Sequence, residues 1–161
     1  MRHKRDEMKR KICFVSSSGG HWEEMMCLET IAKENMSFFV TEEGEQMKSS
    51  SSISKIYGVP QINRKEKHFL LHFIKLFGTA LKIITIEQPD FIITTGALVA
   101  YPFCVIGKLR GKKIIYIESF ARVTEKSLTG RLVYPFADLF FVQWEPLKKL
   151  YPKAKYVGGI F

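Results

Sequence analysis

One loop near the start of the chain combines small residues with a titratable imidazole. The apolar run Lys11–Val15 leads into Ser16-Ser17-Ser18-Gly19-Gly20-His21, after which a stretch rich in Glu and Met begins. Glycines let a backbone approach an anion closely, and a helix that opens behind them offers free N–H groups and a partial positive charge. The loop predicts a seat for a diphosphate or a sugar, with His21 as general base or phosphate partner. The alternative is a tight turn that carries a histidine by chance.

The glycine spacing of this loop departs from two common nucleotide motifs. It lacks the GxGxxG pattern of dinucleotide-binding turns and the GK[ST] ending of a P-loop. An NAD-dependent enzyme and an NTPase are therefore disfavoured, and no cofactor is expected. Cysteine and histidine spacings typical of a metal centre are also missing from the sequence, so no metal is expected either.

Polar residues end two further apolar runs. The run Phe91–Thr95 is followed by Gly96, and the run Lys113–Ile117 is followed by Glu118 and Ser119. Ligands of α/β sheets bind at the carboxyl ends of the strands. We therefore expect Thr95, Gly96 and Ser119 to lie in one cleft with the first loop. Glu118 either lies near a ligand or is satisfied by a helix terminus, and Arg122 either pairs with Glu118 or faces an anionic substrate.

Apolar runs of strand length alternate with helical stretches along the chain. Continuously apolar strands belong to a sheet covered on both faces, and their alternation with helices gives right-handed βαβ units. The prediction is one Rossmann-like three-layer α/β domain with a parallel sheet over residues 11–161, preceded by a basic tail over 1–10. Strands are predicted over 11–15, 37–41, 54–57, 91–95, 113–117 and 139–143, and helices over 22–35, 69–87 and 98–109.

The charge and the cysteines restrict the setting in which this domain works. The 161 residues carry a net charge of +9, which suggests an anionic partner such as nucleic acid, lipid headgroups or a phosphorylated substrate. No nucleic-acid-binding motif is present. The three cysteines show no disulfide or metal spacing, and we expect Cys13, Cys27 and Cys104 to be buried reduced thiols of a cytosolic protein. The charged start of the chain does not resemble a signal peptide.

The stretch 69–86 of the predicted helix over 69–87 is unusually apolar. His72, Lys75, Thr79 and Lys82 form one narrow polar stripe, and most of the remaining residues are Leu, Ile or Phe. The length suits a membrane span, but two lysines and a histidine argue against spanning. The stretch therefore predicts an interfacial helix with basic residues toward headgroups, a helix buried against the sheet, or a helix that is partly each.

With these residues in view, the chain resembles the membrane-associated subunit of two-component glycosyltransferases. This family includes the eukaryotic dolichol-diphosphate N-acetylglucosaminyltransferase and bacterial capsule and exopolysaccharide enzymes. More distantly, the chain is similar to the N-terminal half of the glycosyltransferase that adds N-acetylglucosamine in peptidoglycan lipid synthesis. The segments that carry the resemblance are Ser18-Gly19-Gly20-His21 with Glu24-Met25, Pro89-Asp90 with Thr94-Thr95-Gly96, Tyr116-Ile117-Glu118-Ser119, Gly130-Arg131-Leu132 with Tyr134-Pro135 and Ala137-Asp138, and Phe141-Val142-Gln143-Trp144.

The resemblance implies an inverting enzyme of the GT-B type whose two halves are separate polypeptides. This chain would be the N-terminal half and would bind a polyprenyl-diphosphate-linked sugar, while a catalytic partner subunit would bind the nucleotide sugar. His21 would contact the diphosphate or deprotonate the acceptor hydroxyl, and Glu118 is the second candidate base. The expected substrate-binding residues are Ser17, Ser18, Gly19, Gly20, Thr95, Gly96, Ser119 and Arg122.

The resemblance also implies a place in the cell and a pathway. We expect a peripheral protein on the cytoplasmic face of the plasma membrane, active in capsule or exopolysaccharide synthesis. We expect no hydrophobic N-terminal anchor like that of eukaryotic members, so membrane contact is expected from the 69–86 stretch and basic residues. Two alternatives stay open: a non-catalytic scaffold that recruits and enhances a partner glycosyltransferase, and a stand-alone nucleotide-binding protein.

Overall fold

A parallel β-sheet forms the centre of the computed structural model, which describes residues 9–44, 55–63 and 65–161. Within those residues the sheet has seven strands in the order β3-β2-β1-β4-β5-β6-β7. Because the chain leaves β1 toward β2 and later resumes at β4 on the other side of β1, the carboxyl ends of β1 and β4 flank a crevice. The strands are β1 (Lys11–Val15), β2 (Met36–Glu42), β3 (Ile56–Val59), β4 (Phe91–Thr94), β5 (Lys113–Ile117), β6 (Leu139–Val142) and β7 (Lys155–Tyr156).

Helices cover the two faces of this sheet unequally. The first two pack on one face and the other four on the opposite face, each group with its own apolar cluster. The parallel three-layer α/β prediction is therefore confirmed. The helices are α1 (Gly20–Met26), α2 (Glu29–Glu34), α3 (Phe69–Glu87), α4 (Ala100–Leu109), α5 (Leu128–Val133) and α6 (Leu147–Leu150).

Several predicted element bounds need correction. The single helix predicted over 22–35 is wrong, because the chain breaks after α1 at Cys27 and Leu28 and restarts as α2. The third strand lies over 56–59 rather than 54–57, and residue 54 is outside the described residues. Helix α5 was not predicted; its first turn is closed by Ser127 Oγ, which accepts a hydrogen bond from Gly130 N at 2.9 Å. Residues 1–8 of the predicted tail and the serine run at 49–52 also lie outside the described residues.

The cysteines are free thiols in two different environments. Cys13 and Cys104 are fully buried, and burial raises the pKa of Cys104 to about 12. The prediction that Cys27 is buried is wrong: it is exposed, because α1 ends one residue earlier and Cys27 lies in the turn that follows.

Helix α3 has a buried face and an exposed apolar face. Leu76, Ala80 and Ile84 are buried against the sheet and α4. Leu70, Ile74 and Leu81, which recur at helical spacing, are exposed by 67%, 58% and 42%. By length and composition α3 is the one helix among the described residues that is able to span a membrane. Only 22% of its apolar stretch is buried inside the protein, so packing within the domain does not explain the exposed stripe.

The sheet itself is also covered asymmetrically. On the α3–α6 face, Ile92, Ile114 and Phe140 are at most 5% exposed. On the opposite face, Ile115 is only partly buried and Leu139 of β6 is 36% exposed. The helices α4, α5 and α6, which follow β4, β5 and β6, all lie on the α3–α6 face. The opposite face is therefore less covered at these strands.

Candidate active site

His21 lies at the carboxyl end of the sheet, one residue inside α1, and bridges to the loop that follows β4. Its ring Nδ1 is 3.0 Å from the carbonyl oxygen of Thr95, and the hydroxyl of Thr95 donates to the carbonyl oxygen of His21 at 2.9 Å. These two bonds span 74 positions of sequence and fix the ring relative to β4. The His21 side chain is 31% exposed, so the ring is reachable from solvent although these bonds hold it in place.

The bond to Thr95 decides which ring nitrogen of His21 is available. A carbonyl oxygen only accepts hydrogen bonds, so Nδ1 must carry the proton in the neutral ring. Nε2 then holds the free lone pair. The geometry therefore prepares His21 to accept a proton at Nε2 from a group bound in the cleft.

Gly96 lets the loop after β4 pass beside His21. Its φ is +109°, and a Cβ there would lie 3.3 Å from His21 Cε1 and 3.1 Å from the hydroxyl oxygen of Tyr116. The next residue, Ala97, also has a positive φ of 71°, which is unusual for a residue with a side chain. Thr95 and Gly96, which were expected to line the cleft, thus lie against His21, but they are not among the residues that line the cleft described below.

A small cleft of about 230 Å³ opens beside the His21 ring. Predicted residues Ser119 and Arg122 line it from the loop between β5 and α5. Further walls come from residues that sequence reasoning did not select, namely Ala97, Leu98, Ala121, Ser127, Leu128 and Thr129. The cleft thus joins three loops at the carboxyl ends of β1, β4 and β5, as the strand-end argument predicts.

Arg122 supplies positive charge to this cleft. No ion pair forms between Arg122 and Glu118 among the residues that the structure describes; Arg122 N instead donates to Ser119 O at 2.9 Å. Of the two alternatives from the sequence, the geometry favours the one in which Arg122 faces an anionic substrate.

Glu118 is fully buried and fully hydrogen-bonded. One carboxylate oxygen accepts from Tyr151 OH at 2.8 Å and from Ser127 N at 3.3 Å, and the other accepts from Ser119 N at 3.1 Å. Such a carboxylate ties β5 to the start of α5 and to the segment after α6. Its burial favours the alternative in which Glu118 is satisfied by a helix terminus, here the start of α5, over direct contact with a ligand.

Ser17 and Ser18 are not among the cleft-lining residues. Ser18 Oγ donates to Glu42 Oε2 at 3.3 Å, and Ser17 Oγ donates to the carbonyl oxygen of Ser18. Gly19 and Gly20 have open space around them, since a Cβ at either would meet no heavy atom within 4 Å. A ligand phosphate at this loop would therefore meet backbone rather than the Ser18 hydroxyl, which a carboxylate already holds.

Glu24 is the site residue that the sequence reasoning missed. It lies three positions after His21 on α1 and is 4% exposed. Its Oε1 accepts from Ser119 Oγ at 3.1 Å and from Phe120 N at 2.6 Å, and its Oε2 lies 3.8 Å from His21 Nδ1. Burial raises the pKa of Glu24, although the bond from Phe120 N and the nearby His21 oppose the change. The i, i+3 spacing of His21 and Glu24 was the available clue, because it places both on one face of a helix.

The polar side chains that line the cleft are of three kinds. Within the described ranges, no group of three His, Cys, Asp or Glu residues is placed to hold a metal ion. The cleft offers one imidazole, one guanidinium and several hydroxyls. These groups suit binding of an anion and removal of a proton from a hydroxyl.

Comparison with protein families matches residues 12–160 to the model described as "Oligosaccharide biosynthesis protein Alg14 like". A similar protein is the UDP-N-acetylglucosamine transferase subunit alg14 of Schizosaccharomyces pombe, which is 30% identical over 96% of this chain and 85% of its own length. The subunit of the same name from Mus musculus is 28% identical over 93% of this chain and 82% of its own length.

Solved structures show the same fold at low sequence identity. MurG of Acinetobacter baumannii superposes with a TM-score of 0.71 and 13% identity over 85% of this chain. A UDP-GlcNAc 2-epimerase of Neisseria meningitidis, solved with UDP-GlcNAc bound, gives a TM-score of 0.70 and 13% identity over 92% of this chain. The chain spans only 42% and 46% of these two solved chains, so its fold corresponds to less than half of each.

Proposed function

The chain belongs to the family of Alg14-like oligosaccharide biosynthesis proteins, and from that membership we propose that it is the acceptor-binding subunit of a heteromeric inverting glycosyltransferase. It holds a polyprenyl-diphosphate-linked sugar, while a partner subunit holds the nucleotide sugar. The relatives' names specify UDP-N-acetylglucosamine as donor, and we extend that donor to this enzyme. The observation that carries the proposal is that Arg122 and His21, whose tautomer is set by Thr95, line the same cleft.

His21 acts as the general base in this reaction. The acceptor hydroxyl gives its proton to Nε2 of His21, and its oxygen forms a bond to C1 of the donor sugar. The bond between C1 and the donor's phosphate oxygen breaks, and its electron pair leaves with the nucleoside diphosphate. Glu118, the second candidate base, is fully buried and serves to position the loop between β5 and α5.

The acceptor diphosphate lies between the glycine loop and Arg122. Arg122 supplies the charge and a planar set of N–H donors, and Ser119 lines the same cleft. Gly19 and Gly20 leave the space through which phosphate oxygens approach the backbone. Ser17 and Ser18 shape that loop, and the Glu42 carboxylate on Ser18 keeps the anion toward Arg122.

We propose that helix α3 docks the chain on the cytoplasmic face of the plasma membrane. Its exposed apolar stripe, defined by Leu70, Ile74 and Leu81, is bordered by the exposed lysines Lys75 and Lys82. An apolar stripe flanked by cations suits the boundary between lipid headgroups and acyl chains. Since α3 begins at the carboxyl side of β3, its first turns lie at the edge of the sheet that carries the cleft.

The partner subunit covers the half-buried face of the sheet at β5 and β6. Parallel sheets are normally covered on both faces, yet Ile115 and Leu139 remain partly exposed. An apolar segment of the partner would complete the third layer and bring the nucleotide sugar to the cleft.

Sugar transfer in membranes tests this proposal. Membranes that contain the chain, its partner or both receive radiolabelled UDP-N-acetylglucosamine, and His21→Asn is compared with the solvent-facing control Glu23→Gln. We expect transfer to lipid only with both subunits, and a loss of about 10² to 10⁴ fold in His21→Asn. Undiminished transfer by His21→Asn would contradict the proposal and make the chain a scaffold for its partner.

The polymer that this enzyme serves is part of the same proposal. We propose capsule or exopolysaccharide as the product, built on the lipid-linked sugar that this reaction extends. Deletion of the coding sequence should remove surface polysaccharide and leave the shorter lipid-linked precursor. Unchanged surface polysaccharide together with loss of another glycan would overturn this part and leave the transferase assignment intact.

A further inference from the structure

Glu24 has one carboxylate oxygen in use and one free. Oε1 accepts two hydrogen bonds from the loop that follows β5, from Ser119 Oγ and Phe120 N. Oε2 is buried and has no hydrogen-bond partner among the described residues. A buried carboxylate oxygen without a partner costs free energy, so its retention requires a reason.

The imidazole of His21 is an ionisable group that lies near this free oxygen. Oε2 lies 3.8 Å from His21 Nδ1, which is too far for a hydrogen bond and well within the range of a strong electrostatic interaction. Nδ1 keeps its proton on the carbonyl of Thr95 in both protonation states of the ring. The attraction between the Glu24 carboxylate and the His21 ring is therefore strongest when Nε2 also takes a proton and the ring becomes a cation.

We propose that Glu24 is a positioning residue for His21: its free oxygen stabilises the imidazolium that forms when His21 takes the acceptor's proton, and its other oxygen holds the Ser119–Arg122 loop across the cleft. This inference rests on the proposed role of His21 as base. The Glu24 carboxylate thus connects the two sides of the cleft, so that His21 and the anion-binding loop move together.

The other charged and titratable groups around this pair are few. Arg122, on the loop after β5, lines the same cleft as His21. Tyr116 and Glu118 lie on or just after β5, and the negative charge of Glu118 contributes to the raised pKa of Glu24. None of these groups lies within hydrogen-bond distance of Glu24 Oε2.

The test follows the His21 ring directly by NMR in the full chain, alone and with its partner subunit. Ring proton resonances are assigned with His21→Asn and followed against pH in Glu24→Gln, which keeps the shape and removes the charge. We expect the His21 midpoint to fall by about 1 pH unit, because the imidazolium loses its anionic neighbour. Glu23→Gln removes the same charge from the exposed side of α1 and should leave the midpoint unchanged.

Two further measurements keep the proposal open to refutation. Should Glu24→Gln fail to fold, Glu24→Asp keeps the charge but withdraws it by one methylene, and should lower the midpoint by a smaller amount. In the transfer assay, the acidic limb of kcat/KM should move to lower pH together with the ring. An unchanged midpoint in both Glu24 variants, or an equal fall in Glu23→Gln, would overturn the inference.

The ring titration and the transfer assay can fail separately. If the midpoint falls in Glu24→Gln but His21→Asn transfers sugar normally, the base role of His21 is wrong and the Glu24–His21 coupling stands. If His21→Asn abolishes transfer while the midpoint is insensitive to Glu24, the base role stands and the positioning role of Glu24 is wrong.

Discussion

Removal of two lysine charges from α3 should weaken binding of the chain to anionic membranes about 30-fold. Lys75 and Lys82 are exposed beside the apolar stripe, and each cation near an anionic surface contributes about 1 kcal/mol. The double variant Lys75→Gln/Lys82→Gln thus loses about 2 kcal/mol, which is roughly a 30-fold change in affinity. The helix itself should be kept, since glutamine is as good a helix former as lysine.

Co-sedimentation with vesicles measures this effect. Vesicles of phosphatidylglycerol and phosphatidylcholine are compared with vesicles of phosphatidylcholine alone, at low and high salt. The difference between the unmodified chain and the variant should shrink as salt rises, because the screening length falls from about 10 Å at 0.1 M to about 3 Å at 1 M. In contrast, Leu70→Ser/Ile74→Ser should weaken binding at every salt concentration, since it removes apolar area.

A matched pair of lysines elsewhere provides the control. Lys148 and Lys149 are exposed on α6, which lies at the other end of the helical layer from α3. Lys148→Gln/Lys149→Gln removes the same net charge and should change vesicle binding by less than about threefold. Equal weakening by the two double variants would refute an α3-centred membrane surface and point to overall charge instead.

Three predictions concern the stability of the framework, measured by urea unfolding. Gly130→Ala should lower the free energy of unfolding by about 2 kcal/mol or more, because its Cβ would lie about 2.3 Å from the buried Glu118 carboxylate. The control Gly78→Ala, in open space on α3, should raise it by about 0.5–1 kcal/mol. Equal losses of stability in both variants would contradict the steric argument. Tyr151→Phe should cost about 1.5–3 kcal/mol by removing the hydroxyl that donates to Glu118, and a neutral result would mean that another donor replaces it. Burial opposes ionisation of Glu87, but hydrogen bonds from Lys11, Lys55 and Tyr57 outweigh it and lower the pKa from 4.5 to about 2. Glu87 therefore contributes at most about 3 to 4 kcal/mol, which is present above pH 4.5 and lost as the pH falls toward 2. Glu87→Gln should therefore be less stable than the unmodified chain at pH 7 and equally stable near pH 2, and a gap that does not depend on pH would refute the charge argument.

The sequence predicted the parts of the fold that depend on local patterns. Strand β5 and helix α3 have the predicted bounds because their apolar runs end at unambiguous breaks, such as Gln88-Pro89 after α3. The break between α1 and α2 was missed, since no proline or glycine marks it at Cys27 and Leu28. Helix α5 was missed because it has only six residues and is held by a cap and by tertiary contacts.

The candidate site was predictable as far as strand ends reveal it. His21, Thr95, Gly96, Ser119 and Arg122 come together because parallel strands end at one edge of the sheet. The burial of Glu118 was not predictable, because its partners Ser127 and Tyr151 are 9 and 33 positions away in the sequence. The contact of Glu42 with Ser18 was missed for the same reason: β2 delivers that carboxylate from 24 positions away.

The most direct test of the central claim is to find which subunit holds which substrate. A photoreactive polyprenyl-diphosphate sugar and a photoreactive UDP analogue are crosslinked to the complete complex, and the labelled peptides are identified by mass spectrometry. We expect the lipid diphosphate to label this chain at residues 119–129, beside Arg122, and the UDP analogue to label the partner. Arg122→Gln should lose the lipid label. Labelling of the partner by the lipid diphosphate, with none on this chain, would contradict this assignment.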